Sequence, residues 1–371
     1  MRFPEFSGEW EKGTLQSVAT LSKGTGISKD QLSEDGQPCI LYGELYTKYK
    51  SEIIDVIISK TDIDSQKLVR SQTNDVIIPC SGESAVDIAT ARCVKQSDVL
   101  LGGDLNIIRL KGEHDGSFFA YQLNGKRKYD IAKVAQGVSV VHLYGEHLKG
   151  VKVDYPSAAE QKKISSLLAL IDQRIETQKK IIEKYESLIR GLYHSCFCNS
   201  ENTIIKLRDV VAIVKGKQVN GENLLENGQY YVMNGGIEPS GYLNEYNTPA
   251  DTISISEGGN SCGYVQYNKE PFWSGGHCYS LMPKSDNICY RFLYHFLKYK
   301  ENDIMALRIG SGLPNVQKKD LERFEVQLPS LERQREVTTL LDAISAKLDL
   351  ERQLHHVWQS QKQYLLGSLF I

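Results

Sequence analysis

The chain has 371 residues, room for two or three domains, and its 41% apolar content is ordinary for globular proteins. No apolar run approaches the roughly 20 residues of a membrane span, and Met1-Arg2-Phe3-Pro4 is not a signal peptide, so a cytoplasmic protein is expected. Lys and Arg (44) against Asp and Glu (46) leave a net charge of −2, which argues against a nucleic-acid binder working alone, though not against one that reads bases while a partner grips the phosphates.

Residues 1–14 read as a short lead anchored by Phe6 and Trp10. Leu15 to Leu21 reads as a short helix or strand entry ahead of the turn Lys23-Gly24-Thr25-Gly26. Strands are expected at Cys39–Gly43 and Val76–Pro79, the latter leading into the polar loop Cys80-Ser81-Gly82-Glu83-Ser84. Helices follow at Ser117–Leu123 and Tyr129–Ala135, then a glycine loop, Gln136-Gly137-Val138-Ser139-Val140, and a strand over Lys149–Tyr155.

After Pro156 the pattern changes. Ile164, Leu168, Ile171, Ile175, Gln178, Ile182, Tyr185, Ile189, Leu192 and Cys196 recur every three and four residues between charged flanks. A narrow apolar seam of this kind belongs to a helix packed lengthwise on another helix. Ser157 to Cys198 is 42 residues, about 63 Å of helix. A second globular stretch follows. It has strands at Tyr230–Met233, Thr252–Ile255 and Arg323–Leu328, the loop Ser256–Ser261, helices at Tyr290–Lys300 and Glu301–Leu307, and the glycine loop Gly310–Asn315. After Pro329 the seam returns with Val337, Leu341, Ile344 and Leu348; Glu351, His355 and Lys362 then weaken it, and Leu354, Trp358 and Leu365 are expected to take it over by a local shift.

The chain is a tandem duplication. A shift of 173 carries Pro156 onto Pro329, Gln161 onto Gln334, Leu168 onto Leu341 and Gly102-Gly103 onto Gly275-Gly276. A shift of 192 carries Lys23-Gly24 onto Lys215-Gly216 and Gly43 onto Gly235, so the first copy holds about 19 extra residues between Gly43 and Gly102. The expected fold is α+β: two duplicated mixed α/β domains joined by two long helices that pair as an antiparallel coiled coil with a pseudo-two-fold axis. The boundaries are 1–156, 157–202, 203–329 and 330–371, and the coil core is expected from Ile164, Leu168, Ile171, Ile175, Ile182 and Ile189 with Val337, Leu341, Ile344, Leu348 and Leu365.

No phosphate loop, metalloprotease helix, nucleophile elbow or methyltransferase motif occurs, so no catalytic residue is assigned. Cys80, Ser81 and Cys278 are nucleophile types, but a structural role is the better reading, and the eight irregularly spaced Cys are read as reduced thiols with no metal. The repeated features are polar and basic. Candidate DNA contacts are Ser81, Gly82, Ser84, Lys126, Arg127 and Lys128 in the first copy, with Ser256, Gly258, Asn260, Ser261, Lys298, Lys300, Arg308, Ser311 and Asn315 in the second. Glycine and serine let backbone N–H groups approach a phosphate or base edge. Two such surfaces on a rod describe a two-site reader of duplex DNA, whose half-sites recur about every 34 Å. A protein-interaction adaptor with two duplicated domains, a coiled-coil spacer and no DNA readout is the competing reading.

The chain resembles the specificity subunit of type I restriction-modification systems over essentially its whole length. The resemblance rests on Arg2-Phe3-Pro4-Glu5-Phe6 with Gly8-Glu9-Trp10, on Gly310-Ser311-Gly312-Leu313-Pro314-Asn315, on Leu328-Pro329-Ser330-Leu331-Glu332-Arg333-Gln334, and on Leu365-Leu366-Gly367-Ser368-Leu369-Phe370. The first copy's Gln136–Leu143 departs from the glycine-proline-asparagine form. The resemblance implies two target recognition domains, each reading half of a split target, with the paired helices setting the spacer. It implies two methyltransferase subunits and restriction-translocation subunits as partners. S-adenosylmethionine, ATP and Mg²⁺ would belong to those partners, and this chain would have no catalytic activity of its own.

Overall fold

The computed structural model describes residues 2–63, 68–197, 202–285, 287–310 and 312–370. The chain forms two compact units. One comprises Met1–Lys180 together with Gln353–Ile371, and the other Ile181–Arg352.

Each unit is built on the same frame. In the first, strands Ala19–Lys23, Leu105–Leu110, Asp75–Pro79, Arg92–Val94 and Ile53–Ile54 form a five-stranded sheet in that order. In the second, Val211–Lys215, Cys278–Pro283, Thr252–Ser256 and Val265–Asn268 form a four-stranded sheet. The three leading strands correspond, with Ile108 paired to Leu21 and Val76 in one unit and Leu281 to Ile213 and Ile253 in the other. A helix lies on one face of each sheet, Gly116–Asn124 and Tyr290–Tyr299, and buries Phe118, Phe119 and Tyr121, or Phe292, Leu293 and Phe296.

The opposite faces differ. In the first unit Ile77, Leu105 and Ile107 point away from the helix and are covered by Leu45, Tyr49 and Ile54. These three come from the extra segment, which forms the helix Glu44–Thr47 and the strands Ile53–Ile54 and Ser59–Thr61. In the second unit the same face carries Ser254, Cys278 and Ser280, all buried, with the Asn268 amide donating to Thr252 O and Ser254 Oγ at 2.9 Å each.

Several sequence expectations move. A strand that the lead did not announce, Glu11–Thr14, pairs antiparallel with Lys152–Tyr155, and Thr203–Lys206 pairs likewise with Glu325–Leu328. The strands expected from Lys149 and Arg323 begin later, because the short helices Gly145–Lys149 and Lys318–Arg323 occupy those positions. The expected strand at Cys39–Gly43 is Gln37–Ile40.

The long helices are Ala158–Phe197 (40 residues) and Leu331–Ser368 (38 residues). Each starts with the same joint. The Gln161 amide donates to Pro156 O (2.8 Å) while its Oε1 accepts from Asp115 N (3.0 Å); the Gln334 amide donates to Pro329 O (2.9 Å) while its Oε1 accepts from Cys289 N (3.0 Å). Asp115 and Cys289 cap the sheet-covering helices, so one glutamine ties strand end, long helix and domain helix together.

The helices pair antiparallel within each unit. In the first, Ile164, Leu168 and Ile171 share a core with Leu365, Leu366, Leu369 and Phe370. In the second, Leu192, Tyr193, Cys196 and Phe197 share one with Val337 and Leu341, and Arg352 pairs with Glu186 at 2.7 Å. Leu348 is buried, while Ile175, Ile182, Ile189 and Ile344 are half-buried. The seam does not pass to Leu354, which is 40% exposed. The inherited register persists through polar residues, with Glu351 buried and Lys362 lodged between Glu52 Oε2 and Asp172 Oδ1, each at 2.6 Å. Tyr121 donates to Asp172 Oδ2 at 2.7 Å. Burial alone pulls the Lys362 ammonium down, but the two carboxylates outweigh it and raise its pKa above the usual lysine value. Burial pushes Glu52 up, yet Lys362 and Arg92 hold it below the usual range; burial and the nearby Glu52 leave Asp172 raised.

Candidate nucleic-acid interface

Three strand ends meet at one end of each sheet, and the sequence's twin loops grow from them. In the first unit Lys23 closes one strand, Pro79 a second, and Asp104 precedes Leu105 of the third. Cys80 N donates to Asp104 O (2.7 Å), and Ser81-Gly82 then pairs with Val141-His142. In the second unit the corresponding ends are Lys215, Ser256 and His277. Glu257 N donates to His277 O (2.9 Å), Gly258 bridges Asn315, and Gly259 N donates to Pro314 O (3.1 Å). The two loops that the sequence treated separately in each copy are therefore one hydrogen-bonded platform.

Glycine makes this end possible. A Cβ on Gly24 would lie 2.0 Å from Gly102 O, and one on Gly216 would lie 2.1 Å from Gly275 O. The Lys-Gly turn is thereby pressed onto the Gly-Gly turn in both units, which fixes where Lys23 and Lys215 emerge.

On this shared backbone the side chains differ. The first rim carries Lys23 beside Asp104 (3.5 Å) and Ser81 Oγ 3.3 Å from His142 Nδ1. In the second rim Glu257 is the hub. It accepts from Lys215 (2.7 Å) and the Tyr279 hydroxyl (2.9 Å), with His277 Nδ1 at 3.7 Å. Asn315 Oδ1 accepts from the Gln317 amide at 2.7 Å. Asn and Gln amides match the adenine edge, and Lys supplies donors to guanine.

The structure sorts the sequence candidates. Ser81, Gly82, Gly258 and Asn315 lie on the platforms. Ser84 is the N-cap of the helix Ala85–Ile88, accepting from Asp87 N. Lys126 and Asn260 are exposed, as is Arg308 beside the second glycine loop; Lys128 opens the helix leading to the first, and Ser261 is half-buried. Others are occupied inside their own domains. Arg127 is paired with Asp154 and Asp130, Lys298 with Glu301 (2.6 Å) over the Tyr264 ring, and Lys300 with Asp303 (2.9 Å). Ser256 is buried, donating to Gly235 O. Ser311 lies outside the described residues. The sequence reading missed Lys23, Lys215, His142 and His277 as rim residues, although the repeat had aligned the two lysines.

Cys80 and Cys278 are buried, and burial pushes both thiols up to about 11, away from nucleophilic use. The described cysteines are free thiols. Among the described residues no cluster of His, Cys, Asp and Glu is arranged to hold a metal ion, and no helix is long and apolar enough to cross a membrane.

Twin α/β domains on antiparallel helices, each offering a polar platform, define a duplicated two-domain protein. The family can be stated: residues 7–187 and 199–357 both match the type I restriction modification DNA specificity domain, and the chain belongs to that family. It is 22% identical over 409 residues to the specificity subunit of the type I restriction enzyme MjaVIII of Methanocaldococcus jannaschii, covering 100% of this chain and 93% of that one. It is 23% identical over 384 residues to a provisionally named type I specificity subunit of Mycoplasma pneumoniae, covering 98% and 96%. A provisionally named type I specificity subunit of Mycoplasma genitalium is 27% identical over 247 residues, 62% of this chain and 64% of that protein's length. In fold, the chain is similar to the crystal structure of a type I restriction-modification S subunit from M. genitalium, with a TM-score of 0.76, 22% identity, and 100% and 99% coverage.

Proposed function

We propose that this chain is the non-catalytic DNA specificity subunit of a type I restriction-modification complex. Each globular unit reads one half of a bipartite, asymmetric target, and the paired helices set the spacer and carry two methyltransferase subunits, to which restriction-translocation subunits add. S-adenosylmethionine, ATP and Mg²⁺ are used by those partners, and the complex works in the cytoplasm. The observation that carries this reading is the platform pair: one backbone frame, repeated, with Ser81, His142 and Asp104 on one rim and Gly258, Asn315, Glu257 and His277 on the other. A repeated frame with unlike side chains is what two unlike half-sites require.

The test is a domain exchange in the intact complex. Replacing residues 203–328 by a relative's domain changes one half of the methylated sequence and leaves the other, read by mapping methylated bases genome-wide. A change in both halves overturns the modular reading. Inserting one heptad in both long helices lengthens the spacer between unchanged halves.

A further inference from the structure

We propose that the tips of the twin glycine loops, Val138 in the first unit and Leu313 in the second, are apolar wedges that press into the base stack of duplex DNA beside each half-site. The inference rests on the DNA-reading function proposed above and adds to it a mode of engagement.

Val138 is 96% exposed and Leu313 84%, the two most exposed large apolar side chains among the described residues. Single exposed apolar residues are common on protein surfaces and mean little alone. These two lie on the same repeated loop, at different points of it: the 173-residue shift carries Val138 onto Ser311 and Val140 onto Leu313. Each loop starts at a glycine with positive φ, Gly137 at 122° and Gly310 at 99°. Each is closed by a reciprocal pair of backbone bonds, Gln136 with His142 (2.9 and 2.7 Å) and Ile309 with Asn315 (2.9 Å both ways). The tips are thus held out on pinned hairpins that grow from the polar platforms.

Their setting selects the partner. A protein-protein contact needs about 800 Å² per side, with a packed apolar centre. Here a second half-exposed apolar side chain accompanies each tip, Val140 at 54% or Ile309 at 54%, and the surroundings are glycine, serine and base: Ser139 and exposed His142 in one unit, Gly312 and exposed Arg308 in the other. A narrow apolar point flanked by hydrogen-bonding groups, with the Arg308 cation beside the second, is the arrangement of side chains that unstack a base step while neighbours hold the backbone. The loops also lie at the end of each sheet opposite the N-cap residues Asp115 and Cys289, where the long helices are attached. The helix surfaces are left for protein partners.

The experiment uses the full complex with its methyltransferase subunits, and duplexes carrying 2-aminopurine moved step by step through the target and its flanks, excluding the base to be methylated. With wild-type chain, fluorescence rises at a discrete step near each half-site. Leu313→Ser loses that rise at one half and keeps it at the other; Val138→Ser does the reverse; Leu313→Met retains it. A rise unaffected by either Ser substitution overturns the wedge while sequence-specific binding persists, which leaves the reader function standing. Absence of sequence-specific binding by the wild-type complex overturns the reader function itself. If Leu313→Ser or Val138→Ser blocks assembly with the methyltransferase in the absence of DNA, the tips are a protein contact and the wedge is overturned.

Discussion

The two units agree on the sheet face that meets the helices and disagree on the other. Val76, Ile78 and Ile108 in one unit, and Ile253, Ile255 and Leu281 in the other, pack under equivalent helices. The remaining face is apolar and roofed by the extra segment in the first unit, but lined by Ser254 and Ser280 in the second. Duplication has kept what joins each domain to the long helices and let the rest diverge, the pattern expected when the joint serves both copies and each copy has its own target.

The comparison can be broken hardest at Lys362, which ties the second long helix to the first unit. Lys362→Met removes the cation bonded to both Glu52 and Asp172, leaving them only the charge of Arg92, and should cost about 3 kcal/mol in urea unfolding of the full chain. Neutralising both carboxylates as well should recover most of that loss. The second unit, where Asp342 on the same long helix pairs instead with Arg291 and with His295 at 2.7 Å, should be untouched in hydrogen exchange.

A comparable effect tests the two faces directly. Ile107→Ser puts a hydroxyl and a void under Leu45 and Tyr49 and should cost about 3 kcal/mol. Ser280 Oγ has no hydrogen-bond partner among the described residues, so Ser280→Ala should be neutral or gain up to about 1 kcal/mol by thermal unfolding. Equal losses from both substitutions would abolish the contrast.

Acid should separate the units more gently. His295 is buried, and burial lowers its pKa despite Asp342 at 2.7 Å. Burial pushes Asp342 up, but Arg291 and His295 outweigh it and hold the carboxyl low. Below about pH 6.5 the unfolded chain takes up a proton that folded His295 resists, and lower still it binds one that Asp342 resists; both losses fall on the second unit. In the first unit the raised Asp172 and lowered Glu52 act in opposite directions. Hydrogen exchange from pH 7.5 downward should therefore show the second unit opening first, and His295→Gln should flatten the step near 6.5.

Much of this was legible because duplication doubles every signal. Pro156 with Gln161 and Pro329 with Gln334 marked the joints, and the heptads marked the helices. What stayed hidden depends on distant partners. Lys362 looked like a break in the seam because its carboxylates lie at positions 52 and 172. Ser81 and His142 form one platform across 61 residues, and no local pattern announces that. Strand Glu11–Thr14 has no apolar alternation and exists because Lys152–Tyr155 pairs with it. Arg127 and Lys298 read as free cations until their acidic neighbours were in place.

The packing of Phe370 against Phe118, ring centroids 5.2 Å apart, bears on how the chain is made. At roughly 5–20 residues per second, a ribosome releases the amino-terminal domain well before the residues that seal it. The second unit is continuous from Ile181 to Arg352 and can close during synthesis, whereas the first must wait for Leu365, Leu366, Leu369 and Phe370. The half of the protein translated first is thus finished last, and a nascent chain stalled short of its final turns would present an open core to chaperones and proteases.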